Sequence, residues 1–510
     1  MQGGARVVRR YEGSYGLAVG IALLGLCPNI VLSTAAVAVD PLVGKALGAG
    51  RLELQLTEEL SNAGYAFGAV LAAQLGQRYV QRHLFLGYEA LFVVGSVLAA
   101  AAPTPEVFLA GRILQGAATG FMLVAALPPL VTRFGVGRLP VTVAIVNVGL
   151  FGATTIGPLV GGVVAASGGW RGLFAVTAGI GAIGWAVAWL GYVRFDPFDP
   201  DLPVDVPAIS LSLVATGLTF AGTSVLVEAS FTSPEFVVPF VLGIAALLVL
   251  IVVEYRKRVP LMPVEALSTQ LPVTGTVVAM LAGAVFVTAL QLVQTSLRQV
   301  GGADPLRVGA VFWPMPVGLL LAAVAFGALF RSRWVPVLVN AGLVCLIAAT
   351  ALLLVSGTSR PGPAILWSAW LLGFGAGATV SPGLFLAALG VPSQLLGRAF
   401  ALVELLRSAA AFAVAPVVVA ITQANSDLAA GITTGLLITL GVAVVALLAS
   451  LLIPALSGAR LRKPDLVGWL EDGEQALASP TTAVHVVPGL EDESAEPLLP
   501  RRRSGRRHDR

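Results

Sequence analysis

The chain has 510 residues, of which 57% are hydrophobic and only 11% are charged. A soluble globular domain carries about 25% charged residues, so this composition excludes a chain that folds mainly against water. The formal net charge of +4 is small, and the positions of the charges are more informative than their sum.

The apolar residues form blocks of about 20 residues, which is the length of helix that crosses a hydrocarbon core of about 30 Å. Membrane-spanning strands would alternate apolar and polar residues over about 10 positions, and runs such as FVVPFVLGIAALLVLIVV do not alternate. We therefore predict an all-α polytopic membrane protein with about fourteen spanning helices. The predicted spans, in chain order, are 14–38, 60–78, 84–103, 106–132, 140–166, 172–193, 207–228, 235–254, 272–297, 307–330, 334–356, 363–390, 397–422 and 430–454.

Positive charge predicts the orientation, because short cytoplasmic loops concentrate Lys and Arg. If the N-terminus is inside, the inner connections hold most of these residues, for example in EYRKRVP and GARLRK. The outer connections then hold only Lys45, Arg51, Arg171, Arg298, Arg307 and Arg360. We expect a multi-pass protein of the plasma membrane with both termini in the cytoplasm.

The two ends of the chain differ from the spans in composition. Residues 1–13 and the first span could mimic a signal peptide, but the apolar run 17–39 is too long for a typical signal core. The stretch 457–510 is polar, contains EDESAEP and ends in RRRSGRRHDR. We expect this tail to be disordered; alternatively, its basic end binds the anionic lipids of the inner leaflet.

Arg112 is a permanently charged residue inside the fourth span. The segment GRILQGAATG places Arg112 and Gln115 on the same helical face. At 1.5 Å per residue, Arg112 lies about 9 Å from the outer end of its span. A charge at that depth must face a cavity or a partner rather than lipid. The alternative is a structural arginine whose guanidinium donates to backbone carbonyls.

The fifth span contains the glycine-rich segment GLFGATTIGPLVGG. Glycines let a neighbouring helix approach closely, and a proline removes a backbone hydrogen bond and bends the helix. The close spacing within GPLVGG indicates a specific packing motif, formed by Gly157, Pro158, Gly161 and Gly162.

These segments carry a family resemblance. GRILQG resembles the fourth-span motif of the major facilitator superfamily, and GATTIGPLVGG followed by GGWRGLF resembles the fifth-span motif of its exporters. VEYRKRVPLMPVEAL, RQVGGADPLRVGAVFWPMP and VPSQLLGRAFALVELLRSAAAFAVA are similar to segments of the fourteen-span drug:proton antiporter branch. The resemblance implies two six-helix bundles with two extra helices between them, and alternating access around a central cavity. The domains it implies are a cytoplasmic N-terminus 1–13, an N-terminal bundle 14–193, linker helices with their loops 194–271, a C-terminal bundle 272–456 and a disordered cytoplasmic tail 457–510.

The sequence departs from this family at two carboxylates. The family's first span carries an Asp in an LDxTIVN-like stretch, and here LSTAAVAV has Ser33 in its place. The loop after the second span resembles GxLaDRxGRR, but AQLGQRYVQR has Gln77 where the acid would stand. The chain is therefore identified as a diverged member, and the carboxylate that would couple protons has to be sought elsewhere.

Glu404 and Arg407 are the first candidates for proton coupling or gating. They stand three residues apart in the thirteenth span, so they can pair on one helical face. They lie about 9 and 14 Å deep, and a carboxylate paired in one conformation but bare in the other could bind and release a proton. The alternative is a permanent ion pair that stabilises the second bundle. Glu89 and Arg112 are further candidates for coupling or gating.

Polar and aromatic residues inside the spans are candidates for the substrate pathway. Gln291 and Gln294 are three residues apart, so both could face one cavity. An aromatic residue in a membrane helix is nevertheless more often a packing residue than part of a pocket. The candidates for the substrate pathway are Asn29, Tyr65, Gln115, Asn147, Gln291, Gln294, Phe286 and Trp313.

The expected function is secondary active export of amphipathic, drug-like or antibiotic-like small molecules by alternating access, coupled to protons. One alternative keeps the fold but moves a lipid or cell-envelope precursor without standard proton coupling. A remote alternative is a membrane sensor or enzyme, but no nucleotide-binding loop, metal-ligand pattern or nucleophile–His arrangement is evident. We expect a monomer in the lipid bilayer, with a small molecule and protons as partners, no cofactor, no metal and no nucleic acid.

Overall fold

The computed structural model describes residues 13–194, 202–359, 361–457 and 463–477. Long helices, numbered α1 to α14 in chain order, build this part of the chain, which confirms the predicted fold class. The first seven are α1 Tyr15–Leu47, α2 Arg51–Arg78, α3 Gln81–Ala101, α4 Pro105–Thr132, α5 Gly135–Ser167, α6 Trp170–Gly191 and α7 Val206–Val225. The others are α8 Pro234–Arg256, α9 Gln270–Thr295, α10 Pro305–Leu329, α11 Val335–Ser356, α12 Pro363–Leu389, α13 Leu396–Gln423 and α14 Leu428–Ser457.

Among the described residues, 13 helices are long and apolar enough to cross a membrane. The remaining long helix is α2, whose N-terminal half contains Glu53, Glu58 and Glu59. The prediction that the second span begins at residue 60 is wrong, because the helix already begins at Arg51. The acidic residues lower the hydropathy of the first turns, so hydropathy alone assigns these turns to a loop. In the structure they are helical, and Glu58 and Glu59 face a cavity inside the protein instead of lipid.

The helices form two groups of six. In the first, α2 packs on α4 and α1 packs on α5; in the second, α12 packs on α9, α10 and α11. The two groups meet mainly where α5 packs on α10 and α2 packs on α13. The observed architecture is therefore the predicted pair of bundles. The residue boundaries of the domains remain a prediction.

The two additional helices, α7 and α8, pack against each other beside the bundles. Of these two, α7 is in contact with both halves, through α2 of the first bundle and α13 of the second. Asp205 caps the start of α7 by accepting a hydrogen bond from the Ala208 backbone N–H at 3.1 Å. This pair of helices therefore joins the halves at one side of the molecule.

The helix ends define two faces of the bundle. Arg331 donates a hydrogen bond to the Val136 carbonyl at 2.6 Å, so the end of α10 and the start of α5 lie at the same face. That face also carries the described start of the chain, since Gly13 lies beside Arg133. The terminal face comprises 13–15, 133–138, 331–334 and 389–398, and the distal face comprises 48–50, 226–233 and 424–427.

Part of the predicted disordered tail is packed against the terminal face. Residues 463–477 form a compact segment in which Trp469 is fully buried. Its indole N–H donates to the Val391 carbonyl at 2.9 Å, and the Leu477 N–H donates to the Leu389 carbonyl at 3.1 Å. The expectation of disorder is wrong for this segment, because the buried Trp469 anchors it to the bundle. The basic end of the tail lies outside the described residues.

Trp469→Ala should release this segment from the bundle. Loss of a buried aromatic side chain costs about 3–5 kcal/mol, so we expect limited proteolysis to cut within 463–477 at least tenfold faster than in the wild type. Val467→Ala is the matched control, because Val467 is 51% exposed. Equal cleavage rates for Trp469→Ala and the wild type would contradict the anchoring role.

Candidate functional site: a charged cavity between the two bundles

A cavity lies between the two six-helix groups and opens at the distal face. Its deep part has a volume of about 160 Å³ and is lined by residues of α1, α2, α4, α5, α9, α12 and α13. It continues into a wider mouth of about 1110 Å³, and Asp40, Gln55 and Gln291 line both parts. Both halves therefore contribute to one site that is accessible from the distal end.

Helix packing narrows the other end of the molecule. Near the terminal face, Gly397 at the start of α13 lies against α4. A Cβ on Gly397 would lie 3.4 Å from the Pro128 side chain and 3.5 Å from the Val124 side chain. Leu127 and Leu130 of the same helix are buried there. The structure is thus closed between the halves at the terminal face and open at the distal face.

At the deep end of the cavity, Tyr65, Glu404 and Arg407 form a hydrogen-bonded triad. The Tyr65 hydroxyl of α2 donates to Glu404 Oε1 of α13 at 2.7 Å. The Arg407 guanidinium donates through Nε to Glu404 Oε2 at 3.0 Å and also contacts Oε1 through Nη2. The triad confirms that the two charges pair on one face of α13. It also adds what their spacing does not predict, a contact between the two halves.

Close helix packing places Tyr65 at this point. A Cβ added to Gly120 of α4 would lie 2.0 Å from the Tyr65 carbonyl oxygen, so only glycine permits α2 to approach α4 so closely. Gly120 belongs to the same GRILQGAATG segment that carries Arg112. One stretch of α4 therefore positions the hydroxyl and supplies a buried charge.

Arg112 forms an ion pair with Glu58 of α2. Its Nη2 lies 2.9 Å from Glu58 Oε2 and 3.0 Å from Oε1, while its Nη1 donates to Gln115 Oε1 at 2.9 Å. Gln115 in turn donates to the Ser96 hydroxyl at 2.8 Å. Arg112 is only 1% exposed. The alternative in which its guanidinium donates to backbone carbonyls is therefore not what the structure contains.

Acidic groups outnumber basic ones in the deep part of the cavity. Asp40, Glu58, Glu59 and Glu404 line it, whereas Arg407 is the one basic residue among its described lining. Arg112 and Arg407 balance Glu58 and Glu404, but Asp40 and Glu59 take part in no ion pair within the described ranges. One Glu59 oxygen accepts from Gln55 at 3.2 Å, and the other has no hydrogen-bond partner there. The deep part therefore holds two carboxyl groups without an ion-pair partner in the described part of the chain, while basic residues, among them Arg298, line the mouth.

The predicted pathway residues divide into two sets. Gln115 is buried behind the cavity against Arg112, and Asn147 donates to the Gly377 carbonyl of α12 at 2.8 Å, so both hold helices together. Trp313 is 59% exposed on the outside of the bundle, so its assignment to the pathway is wrong. The residues that do line the cavity are Asn29, Tyr65, Phe286, Gln291 and Gln294.

Glu89 does not reach the cavity. It is fully buried within the first bundle, where Gly25 of α1 and Gly184 of α6 leave room for its carboxyl group. Neither of its oxygens has a hydrogen-bond partner within the described part of the chain. The structure therefore separates Glu89 from the other coupling candidates.

The glycine motif of α5 brings two helices close, as its spacing predicts. A Cβ on Gly161 would lie 2.6 Å from the Ala35 carbonyl oxygen of α1. A Cβ on Gly162 would lie 2.6 Å from the Pro305 carbonyl oxygen of α10, in the other half. Gly157 and Pro158 continue this surface, so the motif packs within its own bundle and across the interface.

Two polar residues occupy the positions of the missing carboxylates. Ser33 lines the cavity, and its hydroxyl donates to the Ile30 carbonyl of its own helix at 2.9 Å. Gln77 donates to the Ala73 carbonyl of its own helix at 2.8 Å. Neither bond links one bundle to the other.

The sequence as a whole agrees with this architecture. Residues 21–416 match the sequence profile of the Major Facilitator Superfamily. The chain belongs to the major facilitator superfamily. It is accordingly a multi-pass membrane transporter of a small-molecule substrate and not an enzyme.

Relatives within the superfamily include transporters of bacteria. The MFS-type transporter YubD of Bacillus subtilis is 25% identical over 395 residues, covering 76% of either chain. The drug efflux pump JefA of Mycobacterium tuberculosis is 28% identical over 358 residues, covering 68% of this chain and 69% of its own. The methylenomycin A resistance protein of Streptomyces coelicolor is 25% identical over 382 residues, covering 72% of this chain and 77% of its own.

Solved structures share the fold at low identity. The human organic anion transporter MFSD10 superposes with a TM-score of 0.61 at 15% identity, covering 86% of this chain and 100% of its own. A POT family transporter superposes with a TM-score of 0.62 at 14% identity, covering 87% of this chain and 96% of its own. These likenesses concern the fold alone.

Proposed function

We propose that this transporter exports amphipathic small molecules from the cytoplasm in exchange for protons, by alternating access of the central cavity. The drug efflux pump and the resistance protein among its relatives support this activity. In this proposal the protein is a monomer in the plasma membrane, both termini are cytoplasmic, and the distal face is the external one. The distribution of Lys and Arg supports that orientation.

We propose further that the preferred substrates carry positive charge. The cavity combines apolar side chains such as Phe151, Phe286 and Phe412 with the carboxyl groups of Asp40 and Glu59, which have no ion-pair partner among the described residues. A bound cationic group would supply that missing partner, while aromatic rings favour the apolar body of the same molecule. An amphipathic cation satisfies both properties of the cavity.

The single observation that carries the proton-exchange proposal is the triad of Tyr65, Glu404 and Arg407. Among the described residues, Glu404 is the one acid that faces the cavity and also accepts a hydrogen bond from the other half. A proton bound to Glu404 neutralises its charge and weakens the contact with Arg407. A cationic substrate that approaches Glu404 favours the opposite, charged form. Proton and substrate therefore compete for this carboxylate, which is the requirement for exchange.

Reconstitution into proteoliposomes with a pH-sensitive dye in the lumen tests this function. We expect an outward gradient of ethidium, a lipophilic cation, to drive proton movement in the opposite direction. Empty liposomes set the background of passive leakage. Transport of ethidium without any proton movement would contradict exchange, and no transport of ethidium at all would contradict the proposed class of substrate.

Glu59→Gln tests the preference for positive charge. We expect KM for ethidium to rise by about fivefold, which corresponds to the loss of roughly 1 kcal/mol from one charged contact, while KM for the uncharged chloramphenicol stays the same. Glu235→Gln is a matched control, because Glu235 is exposed at the start of α8. A similar change of KM for both compounds would contradict a charge effect.

A lipid or cell-envelope precursor as cargo, moved without protons, is the second candidate. It is favoured by Ser33 and Gln77, which stand where the related antiporters carry acids. The same liposomes distinguish the two candidates, since a flippase of this kind would move a fluorescent lipid while the lumenal pH stays constant.

A further inference from the structure

The start of α7 and the end of α8 meet at a cluster of charged and polar groups on the terminal face. Lys257, just after α8, lies between two carboxylates, with its Nζ 2.5 Å from Asp205 Oδ2 and 2.6 Å from Glu254 Oε1. Burial by itself would lower the pKa of Lys257, but these contacts raise it above its usual value. The ammonium group is therefore charged and joins the start of α7 to the end of α8.

On one side, this cluster is attached to the first bundle. Gln74 of α2 is buried, and its side-chain oxygen accepts from the Asp205 N–H at 3.1 Å. Its side-chain nitrogen donates to the Pro203 carbonyl at 3.4 Å. The connection before α7 is thereby fixed to the terminal-face end of α2.

On the other side, the cluster is attached to the second bundle. The fully buried Glu254 accepts the Met262 N–H through its other oxygen at 2.8 Å, which orders the loop after α8. Arg398 at the start of α13 donates to the Leu261 carbonyl at 2.7 Å and also contacts the Pro260 carbonyl. The loop is thereby fixed to the terminal-face end of α13.

We infer that these contacts form a clasp, comprising Gln74, Asp205, Glu254, Lys257 and Arg398, which holds the transporter closed at its terminal face. The inference rests on alternating access, the movement proposed above. It assigns to α7 and α8 a task in the transport cycle, namely to bias the equilibrium toward the conformation that is open at the distal face.

The direction of the bias follows from the positions of the contacts. The clasp joins α2 to α13, the two helices through which Tyr65 and Glu404 also meet. Separation of these helices at the terminal face must break at least one contact of the clasp. A contact that exists in just one of two conformations stabilises that conformation by the free energy of the contact. Gln77, at the same end of α2, does not hold the two halves together, because among the described residues its side chain bonds only within α2.

Asp205→Asn is the sharpest test. Asparagine retains the capping hydrogen bond to the Ala208 N–H, so α7 keeps its start, but the charge that contacts Lys257 is lost. Arg398→Gln breaks the clasp at its other end. Arg258→Met is the matched control, because Arg258 is the exposed neighbour of Lys257.

The measurement is the distance between spin labels attached to cysteines at His83 and Gln394, which are exposed at the terminal face in opposite halves. Cys27 and Cys345 are replaced by serine in every sample. We expect the long-distance, terminally open population to increase by about fivefold in Asp205→Asn and in Arg398→Gln, and to stay constant in Arg258→Met. Such an increase is typical when one charge-assisted contact is lost.

Unchanged distance distributions in both clasp variants would overturn the inference, and so would an equal increase in Arg258→Met. Thermal unfolding of each variant shows whether it is folded, and the distances are read only from folded protein. The distances are measured without substrate and without a proton gradient. A failure of the clasp is therefore distinguishable from a failure of proton exchange, which the liposome experiment measures separately.

Discussion

Glu404→Gln should strongly reduce the proton-driven export of ethidium, while the protein still carries ethidium down its own concentration gradient. Glutamine keeps the shape of the side chain and still accepts a hydrogen bond from Tyr65, but it cannot bind and release a proton. We expect uphill transport in proteoliposomes to fall by at least about tenfold. Such a fall corresponds to the loss of a coupling free energy within the usual range of about 1–3 kcal/mol.

The passive flux separates this result from a folding defect. Because Glu404 is the carboxylate of a triad that includes Arg407, its replacement leaves a cation in the cavity, and weaker binding of ethidium accompanies the loss of coupling. Glu235→Gln serves as the matched control for one lost carboxylate. Uphill transport that persists in Glu404→Gln, together with a normal proton flux, would place the coupling site at another acid.

The sequence predicts the architecture well because its signals are local. Each hydrophobic block is long enough to be recognised on its own, and the charges between the blocks give an independent estimate of their number. The GPLVGG segment likewise predicts close packing from glycine spacing alone, and the structure places Gly161 against α1 and Gly162 against α10. Features that are encoded within one helix are therefore accessible without a structure.

The charged cavity is much harder to predict because its contacts are long-range. Tyr65 and Glu404 are 339 residues apart, and no spacing rule connects them. Glu58 is not among the predicted residues, because hydropathy assigns the first turns of α2 to a loop, although the depth of Arg112 requires a partner. An acidic segment next to a buried arginine is the signal that could have found it.

Polarity inside a span also has two meanings that sequence alone does not separate. Gln115 and Asn147 are as polar as Gln291 and Gln294, but their hydrogen-bonding groups hold helices together, whereas the latter two line the cavity. Which meaning applies depends on the neighbouring helix. Only packing decides whether a polar group meets a partner or a substrate.

Glu58→Gln should destabilise the protein strongly. Arg112 is 1% exposed, so the loss of its partner leaves a permanent charge in the interior. Breaking a buried ion pair in this way costs about 3–5 kcal/mol. We expect a clearly lower midpoint of thermal unfolding in detergent. Unfolding is measured by the reaction of a thiol-specific dye with Cys27 and Cys345, which become accessible as the protein unfolds. Glu265→Gln, at an exposed position, is the control.

The double variant Glu58→Gln, Arg112→Gln removes both charges, and it separates the stability of the pair from its use. We expect it to recover most of the lost stability, because no uncompensated charge remains. An unfolding midpoint of Glu58→Gln equal to that of the wild type would contradict the ion pair. If the double variant is stable but transports ethidium poorly, the pair also acts in the transport cycle, since a contact that serves only the fold would be replaceable by two neutral amides.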